Sequence, residues 1–359
     1  MAEDSEALVD AIATVMPPLL NGLEALGFVA RHLHPPRLKD LVLASAERGA
    51  TLADAMARFR TVAWPERLER FRALVEEAGS EAQAAFDGLR SAAEATDGRL
   101  EAYRALRHVP RALEALYPLA GAMPVVSRFF LEPAAREDAS LLARLKSGRT
   151  DVGLLHAGNE RHERGGFSLY VPESYDSAQA HPLVVAMHGG SGHGRAFLWS
   201  WVREARTRGL ILISPTAIGE TWSLMQPELD SRNLDRILGY VREHWNVDAR
   251  RLLLTGMSDG GTFSLLSGLL PNSPFTHLAP VAASFHPMML GLSTPERLKG
   301  LPVYLVHGAL DWMFPVAMAE QAEAALAQAG GQVSLRVVDD LSHAYPRDEN
   351  AAMLDWFLG

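Results

Sequence analysis

The spacing of apolar residues changes near residue 150. Before that point it has the period of a helix: Leu68, Phe71, Leu74 and Val75 fall at i, i+3, i+6 and i+7 and so share one helix face. Residues 5–146 are rich in Ala, Leu, Arg and Glu, with prolines and glycines between the apolar stretches. This pattern predicts about six to eight helices and no strands.

Prolines and glycines are expected to end these helices, and the pair Pro17-Pro18 is the first such break. We therefore expect residues 1–150 to form an N-terminal helical domain. It would pack on the rest of the chain, serve homo-oligomerisation, or cover the catalytic part as a lid. The short interval between Ser258 and Asp311 motivates the lid hypothesis, because it leaves little room for an internal cap.

Past residue 150, short apolar runs alternate with helical stretches. The expected strands are residues 166–172, 182–187, 209–215, 252–255, 278–283, 303–306 and 333–338. Helical stretches are expected at about 196–208, 230–245, 262–270 and 316–329. Such alternation predicts a mostly parallel sheet with helices on both faces, here over residues 151–359.

Residues 256–261 read Gly-Met-Ser-Asp-Gly-Gly and join an expected strand to an expected helix. A Gly-x-Ser-x-Gly sequence at such a junction is typical of a nucleophile elbow, a tight turn that exposes a serine hydroxyl. Small residues are needed two positions before and after the serine, because strand and helix approach each other closely. Ser258 is therefore the candidate nucleophile.

A nucleophilic serine needs a base and a carboxylate that orients the base. Asp311 follows the expected strand at 303–306, and His343 follows the one at 333–338. Parallel strands place their carboxyl ends at one edge of a sheet, so these residues are expected to converge on Ser258. The alternatives are Asp339 and Asp340 for the acid, and His277, His286 and His307 for the base.

Residues 188–192 read His-Gly-Gly-Ser-Gly and directly follow another expected strand. A glycine turn leaves backbone N–H groups free of side chains. One of these groups, with the N–H of Asp259, can receive the negative oxygen of a tetrahedral intermediate. His188 is expected to orient this turn.

The four motifs at residues 188–190, 256–261, 307–311 and 341–343 resemble those of the α/β-hydrolase superfamily. Within it, residues from about 166 to 359 are similar to carboxylesterase/phospholipase-like and depolymerase-like serine esterases. The resemblance implies an α/β-hydrolase fold preceded by an all-α domain. It also implies Ser258 as nucleophile, His343 as base and acid, and Asp311 as orienting acid. It further implies oxyanion donors at Gly190, Asp259 and Gly189.

The expected activity is hydrolysis of a carboxylic ester, small or polymeric, through an acyl-enzyme on Ser258. Acyl transfer and peptidase activity with the same triad are alternatives, and so is a non-catalytic binding protein. Residues near the expected site suit an apolar substrate group; these are Trp222, Trp312, Met257 and His286.

Composition limits the other possibilities. The net charge of −9 argues against a general nucleic-acid binder, and the absence of cysteine excludes disulfides and thiol catalysis. No metal or organic cofactor is expected, since residues 156–163 match no standard metal-ligand spacing and are interpreted as a solvated loop. The N-terminus lacks a signal-peptide pattern and no membrane span is expected, so a cytoplasmic enzyme is the default, with secretion open if a leader was removed.

Overall fold

The computed structural model describes residues 2–145 and 149–359. The chain divides into two compact units, Met1–Phe130 and Leu131–Gly359. This division lies about 20 residues before the change from helices to strands, because residues 131–145 pack with the second unit.

The first unit is helical, as its apolar spacing predicts. Its described residues form the helices α1 (Ala2–Arg31), α2 (Leu38–Thr61), α3 (Glu69–Glu94), α4 (Arg99–Leu106), α5 (His108–Leu116) and α6 (Pro124–Phe129). The three long helices contact one another, and α5 packs on α3. The core of this unit is therefore built from helix faces alone.

The expected helix break at Pro17-Pro18 is wrong. α1 continues through both prolines, although proline removes a backbone donor and disfavours a helix interior. Val15 and Leu19, on either side of the pair, are buried in the unit. Packing of this helix face therefore outweighs the local cost of the prolines.

One helix does have the length and composition of a membrane span, contrary to the sequence expectation. Glu6–Arg31 has 26 residues and a mean hydropathy of 1.4 over its most apolar window, of which 44% is buried. Its apolar residues are not equivalent, since Leu19 and Leu26 are buried whereas Val9 and Phe28 are more than half exposed. The helix thus has one face in the core of its unit.

The second unit contains eight strands in its described residues. They are β1 (Gly153–Ala157), β2 (Phe167–Val171), β3 (His181–Met187), β4 (Ile211–Pro215), β5 (Val247–Met257), β6 (His277–Val281), β7 (Pro302–Gly308) and β8 (Gln332–Val338). The helices are α7 (Ala139–Arg144), α8 (Gly194–Phe197), α9 (Val202–Arg208), α10 (Glu228–His244), α11 (Asp259–Gly268), α12 (Pro295–Leu298), α13 (Val316–Gln328) and α14 (Asn350–Leu358). The seven expected strands are confirmed, and β1 is an additional one.

The strands form one sheet in the order β1-β2-β4-β3-β5-β6-β7-β8. β2 runs antiparallel to β1 and β4, and the strands from β4 to β8 are parallel. The predicted mostly parallel α/β sheet is therefore confirmed. The carboxyl ends of β3, β5, β6, β7 and β8 lie side by side at one edge.

Both faces of the central strands are covered. In β3, Leu183 and the next residue, Val184, point to opposite faces, and both are fully buried. Leu253 and Leu254 of β5 show the same burial. Two-sided burial explains why these strands read as continuous apolar runs in the sequence.

Candidate active site

Ser258 is the one residue that separates the end of β5 from the start of α11. Its backbone has φ 55° and ψ −118°, a conformation that costs free energy for a residue with a side chain. Two hydrogen bonds hold it there: its N–H donates to Val281 O at 2.9 Å, and its carbonyl accepts from Thr262 N–H at 2.8 Å. The turn is thus fixed by the neighbouring strand β6 and by the first turn of the helix.

The glycines of the elbow are required by close backbone contacts. A Cβ on Gly260 would lie 2.5 Å from the carbonyl oxygens of Met187 and His188, and one on Gly256 would lie 2.6 Å from the carbonyl carbon and oxygen of Gly260. Either contact is too short for real atoms. The sequence interpretation of these two positions is therefore confirmed by the packing of β3, β5 and α11.

Ser258, His343 and Asp311 form one hydrogen-bonded chain. His343 Nε2 lies 3.0 Å from Ser258 Oγ, and His343 Nδ1 lies 2.8 Å from Asp311 Oδ2. Ser258 and His343 are buried, and the Asp311 side chain has no exposed surface. Three residues from the ends of three strands meet here at hydrogen-bonding distances.

Asp311 is held from two sides. Its Oδ1 accepts the N–H groups of Met313 and Phe314, both at 2.8 Å, while Oδ2 faces His343. Burial alone would raise the pKa of this carboxyl, but the hydrogen bonds from His343 and the two amides outweigh it and leave the pKa lowered. The carboxylate is therefore ionised at neutral pH.

Of the alternative acids and bases, His307 lies beside Asp311, whereas Asp339, Asp340 and His277 occupy other parts of the fold. Asp339 and Asp340 are exposed at the end of β8. His307 Nε2–H donates to Phe314 O at 2.9 Å and lies 3.7 Å from Asp311 Oδ2, so it braces the acid's turn. His277 packs edge-on against the rings of Trp356 and Phe357.

His188 is a neutral histidine beneath the glycine turn. Its Nε2 accepts the N–H of Ala217 at 3.1 Å, so the proton is on Nδ1, which donates to Gly189 O at 2.7 Å. Burial lowers the pKa of His188 to about 3. The ring therefore supports the turn as an uncharged hydrogen-bonding group, in line with its expected orienting role.

Gly189 and Gly190 lie beside the elbow. A Cβ on Gly189 would lie 3.6 Å from Ser258 Cβ, and one on Gly190 would lie 2.8 Å from Asp259 Oδ2. Within the part of the chain that the structure describes, the N–H groups of Gly189, Gly190 and Asp259 donate to no protein acceptor. Asp259 is the first residue of α11, where backbone N–H groups have no partner within the helix.

Only one of the four expected pocket residues has a ring contact with the triad. Trp312 is 42% exposed, and its ring lies 6.3 Å from that of His343. Trp222 is only 2% exposed and stacks on Phe263, so it belongs to the core behind the site and not to an open pocket wall. His286 is exposed and caps a 3₁₀ turn, while Met257 is half-buried at the end of β5.

Most of residues 156–163 are exposed, and the first two of them, His156 and Ala157, belong to strand β1. Glu160 pairs with Arg195 at 2.6 Å, and Glu163 O accepts from His193 Nε2–H at 3.0 Å. His156 lies on β1, with Nδ1 2.7 Å from Ser168 Oγ. Among residues 2–145 and 149–359, no three His, Asp or Glu side chains are grouped so that they could hold a metal ion.

Part of this chain is similar in sequence to known phospholipases, carboxylesterases and an acetylxylan esterase. The family model for phospholipases and carboxylesterases matches residues 230–357. The bifunctional acetylxylan esterase/xylanase XynS20E of Neocallimastix patriciarum is 24% identical over 204 residues, which are 55% of this chain. Those residues span only 29% of that larger relative.

Solved esterase structures are also similar to part of this chain. Esterase PE8 has a TM-score of 0.45 and 21% identity over 57% of this chain and 100% of its own. A butyrate-bound esterase, Est2, of Thermogutta terrifontis has a TM-score of 0.45 and 15% identity over 58% of this chain and 92% of its own. The family model and the sequence relative are thus similar to part of this chain, and the family model lies within the second unit.

Proposed function

We propose that this α/β-hydrolase is a serine carboxylesterase whose nucleophile is Ser258. The observation that carries the proposal is the chain of hydrogen bonds from Asp311 to His343 at 2.8 Å and from His343 to Ser258 at 3.0 Å. This is the arrangement that serine hydrolases on unrelated folds share.

His343 is the general base in this mechanism. Because the ionised Asp311 accepts the proton on Nδ1, the lone pair of Nε2 faces the Ser258 hydroxyl. Nε2 takes the hydroxyl proton as Oγ attacks the ester carbonyl carbon. The imidazolium that forms is stabilised by the adjacent carboxylate.

The N–H groups of Asp259 and Gly190 are proposed to bind the oxygen of the tetrahedral intermediate, with Gly189 as a further donor. Both groups lie next to the elbow, and neither has a protein acceptor among the described residues. A buried donor aimed at a developing negative charge is worth about 100- to 1000-fold in rate.

The reaction proceeds through an acyl-enzyme. His343 gives its proton to the leaving alcohol as the carbon–oxygen bond of the ester breaks. Water then repeats the attack with His343 again as base, and the acid is released from Ser258. All side chains in these steps are those of Ser258, His343 and Asp311.

The residues that follow Asp311 favour a substrate with an apolar group. Trp312 and Met313 directly follow the buried Asp311, and both side chains are more than one third exposed. The match to an acetylxylan esterase favours a small acetyl group instead. A chain-length series distinguishes these two substrate classes.

The test is hydrolysis of p-nitrophenyl esters from acetate to palmitate, and of acetylated xylan, by wild type, Ser258→Ala and Ser273→Ala. The last variant is a matched control, since it removes a buried hydroxyl that has no hydrogen-bond partner in the described parts of the chain. Ser258→Ala is expected to lose at least about 10⁴-fold in kcat, and Ser273→Ala to keep the wild-type rate. Full turnover in Ser258→Ala would show that another residue is the nucleophile.

Acyl transfer, peptidase activity and binding without catalysis are separated by two further measurements. An added alcohol or amine diverts the acyl group from water if transfer dominates. A fluorophosphonate labels Ser258 stoichiometrically if the serine is activated. Absence of labelling in folded protein would favour a binding protein.

A further inference from the structure

The loop between β4 and α10 contacts both segments that carry the proposed oxyanion donors. We call residues 217–223 the bridging loop. On one side it faces the glycine turn after β3, and on the other it faces the first residue of α11. These two segments are far apart in sequence, so their relative position depends on tertiary contacts.

On the glycine-turn side, the bridging loop holds His188 at two points. The N–H of Ala217 donates to His188 Nε2 at 3.1 Å, and Trp222 Nε1–H donates to the carbonyl oxygen of His188 at 2.8 Å. The two rings lie 5.0 Å apart. The residue immediately before Gly189 is thus fixed in both its side chain and its backbone.

On the helix side, the contact is made by one hydroxyl. Thr221 Oγ1 donates to Asp259 Oδ2. The same carboxylate oxygen faces Gly190, where a Cβ would approach it to 2.8 Å. Asp259 therefore lies between the bridging loop and the glycine turn, with Thr221 fixing its carboxylate.

The bridging loop is itself anchored at several points. The Asp230 carboxylate, only 1% exposed, accepts Ile218 N–H at 2.9 Å and Ser223 N–H at 2.8 Å. These bonds fix the loop near both ends, beside the N-terminus of α10.

Arg164, from the segment between β1 and β2, anchors the middle of the loop. Its guanidinium donates to Gly219 O at 2.8 Å and to Glu220 O at 3.1 Å. It also donates to Gly192 O in the glycine turn at 2.8 Å. One side chain thus connects the bridging loop with the turn that carries Gly190.

We propose that Thr221 is a positioning residue for the oxyanion hole, acting through the Asp259 carboxylate and supported by Arg164. The N–H groups of Asp259 and Gly190 can act together only if α11 and the glycine turn keep a fixed separation. Misplacement of a catalytic group by about 1 Å can cost about 100-fold in rate. This inference rests on the proposed esterase function.

The experiment measures kcat, KM and inhibition by an aryl trifluoromethyl ketone for wild type and Thr221→Val. The ketone forms a tetrahedral adduct with a serine, and its oxygen takes the place of the oxyanion. Thr221→Val keeps the side-chain shape but removes the donor. We expect kcat to fall about 10-fold or more and inhibitor affinity to weaken by a similar factor, with KM within about twofold of wild type.

A double-mutant cycle tests whether Thr221 acts through Asp259. Asp259→Ala removes the acceptor, so the double variant Thr221→Val/Asp259→Ala is expected to be no slower than Asp259→Ala alone. Thr221→Ser retains the hydroxyl and is expected to recover most of the lost rate. Thr221→Ala provides a second removal of the hydroxyl if valine disturbs the fold.

Two controls are matched to these substitutions. Thr51→Val removes a threonine hydroxyl that bonds its own helix backbone on α2, and Arg250→Met removes a largely exposed guanidinium at the opposite end of β5. Both are expected to leave kcat unchanged. Arg164→Met is expected to lower kcat in the same direction as Thr221→Val.

Three results would overturn the proposal. They are a Thr221→Val kcat within about twofold of wild type, a KM change without a kcat change, and multiplicative losses in the double variant. Ser258→Ala, assayed in parallel, keeps the two hypotheses apart. If it retains turnover, the esterase proposal fails; if it is inactive while Thr221→Val is unaffected, only the positioning role fails.

Discussion

The carboxylate of Asp311 lies 2.8 Å from Nδ1 of His343, and its other oxygen is occupied by two backbone N–H groups. Each carboxylate oxygen therefore has a separate set of hydrogen-bond donors and a separate role. Oδ1 fixes the turn, and Oδ2 holds the imidazole with its Nδ1 proton towards the acid. The ring is thereby prepared to accept a proton at Nε2.

Asp311→Asn is predicted to keep the fold and lose the activity. The amide oxygen can still accept from Met313 and Phe314, which leaves its NH₂ group facing His343 Nδ1 and favours the wrong tautomer. We expect kcat to fall about 10³- to 10⁴-fold. The measurement is ester turnover, with circular dichroism as a check that the variant is folded. Asp339→Asn, at an exposed position, is the control. A decrease of less than about tenfold in kcat for Asp311→Asn would contradict the orienting role.

His188 is predicted to make stability depend on pH. Its folded-state pKa is about 3, whereas an unfolded histidine titrates near 6.5, so between these values the unfolded chain binds more protons. The free energy of unfolding should therefore fall with decreasing pH, by about 1.4 kcal/mol per unit at most from this residue.

Urea unfolding at pH 7 and pH 5 checks this dependence. The loss between the two pH values should be about 2 kcal/mol smaller in His188→Gln than in wild type. The exposed His286→Gln is the control. Equal pH dependence in His188→Gln and wild type would mean that His188 carries a proton in the folded state.

Gly260→Ala is predicted to damage the elbow. Its Cβ would lie 2.5 Å from two carbonyl oxygens of the β3 end, so α11 or β3 must move. We expect a loss of about 3 kcal/mol or more in the free energy of unfolding, together with a loss of turnover. Gly239→Ala on α10 is the matched control, since a Cβ there would meet no atom within 4 Å. This variant should stabilise the helix by about 0.5–1 kcal/mol. Similar stabilities for the two variants would contradict the close approach at Gly260.

Trp312→Ala is predicted to change the substrate preference. In the proposed function, the exposed ring beside His343 covers an apolar acyl or aryl group. KM for long-chain p-nitrophenyl esters should rise about tenfold, with the acetate ester changed less than about twofold. Leu229→Ala, an exposed apolar residue of α10, is the control. An equal change for all chain lengths would point to disturbance of His343 instead.

The segment 131–145 is predicted to be part of the folded hydrolase unit. Glu132 pairs with Arg208 at 2.7 Å, and both side chains are largely buried, while Leu131, Leu141 and Leu145 form a small apolar cluster. A fragment 151–359 should therefore be less stable than 131–359 by at least about 2 kcal/mol in thermal or urea unfolding. Equal stability would show that the segment contributes little.

The lid hypothesis for the helical unit is tested with the fragment 131–359. If the helices select substrates, this fragment should lose the chain-length preference of the full chain while its triad still reacts with a fluorophosphonate. A folded fragment with unchanged preference would exclude the lid role and leave packing or oligomerisation.

Much of the catalytic unit could be predicted from the sequence because its signals are local. Residues 183–187 and 252–254 are buried on both faces of the sheet and are all apolar, so these strands are easily recognised. Gly256 and Gly260 mark the elbow because no side chain fits there. The sequence pattern does not predict β1, because this strand is short and His156 interrupts its apolar residues.

Residues whose role depends on distant contacts could not be predicted. Trp222 follows a strand like a pocket residue, but its stacking on Phe263 and its bond to His188 place it in the core. Pro17-Pro18 reads as a helix break, but packing of α1 keeps the helix continuous. Arg164 and Asp230 gave no sequence signal, because a backbone carbonyl or N–H partner leaves no pattern in the residue types.

The sequence by itself determined the fold class, the order Ser258, Asp311, His343 and the glycines that allow the elbow and the glycine turn. These features follow from the spacing of apolar residues and from steric requirements within a few residues. Both can be recognised from the residue types at the positions concerned. Only the tertiary structure decided how the bridging loop joins His188 to Asp259, because those hydrogen bonds depend on the order of β4, β3 and β5 in the sheet. Contacts across strands are set by packing of the whole unit, and no local pattern encodes them.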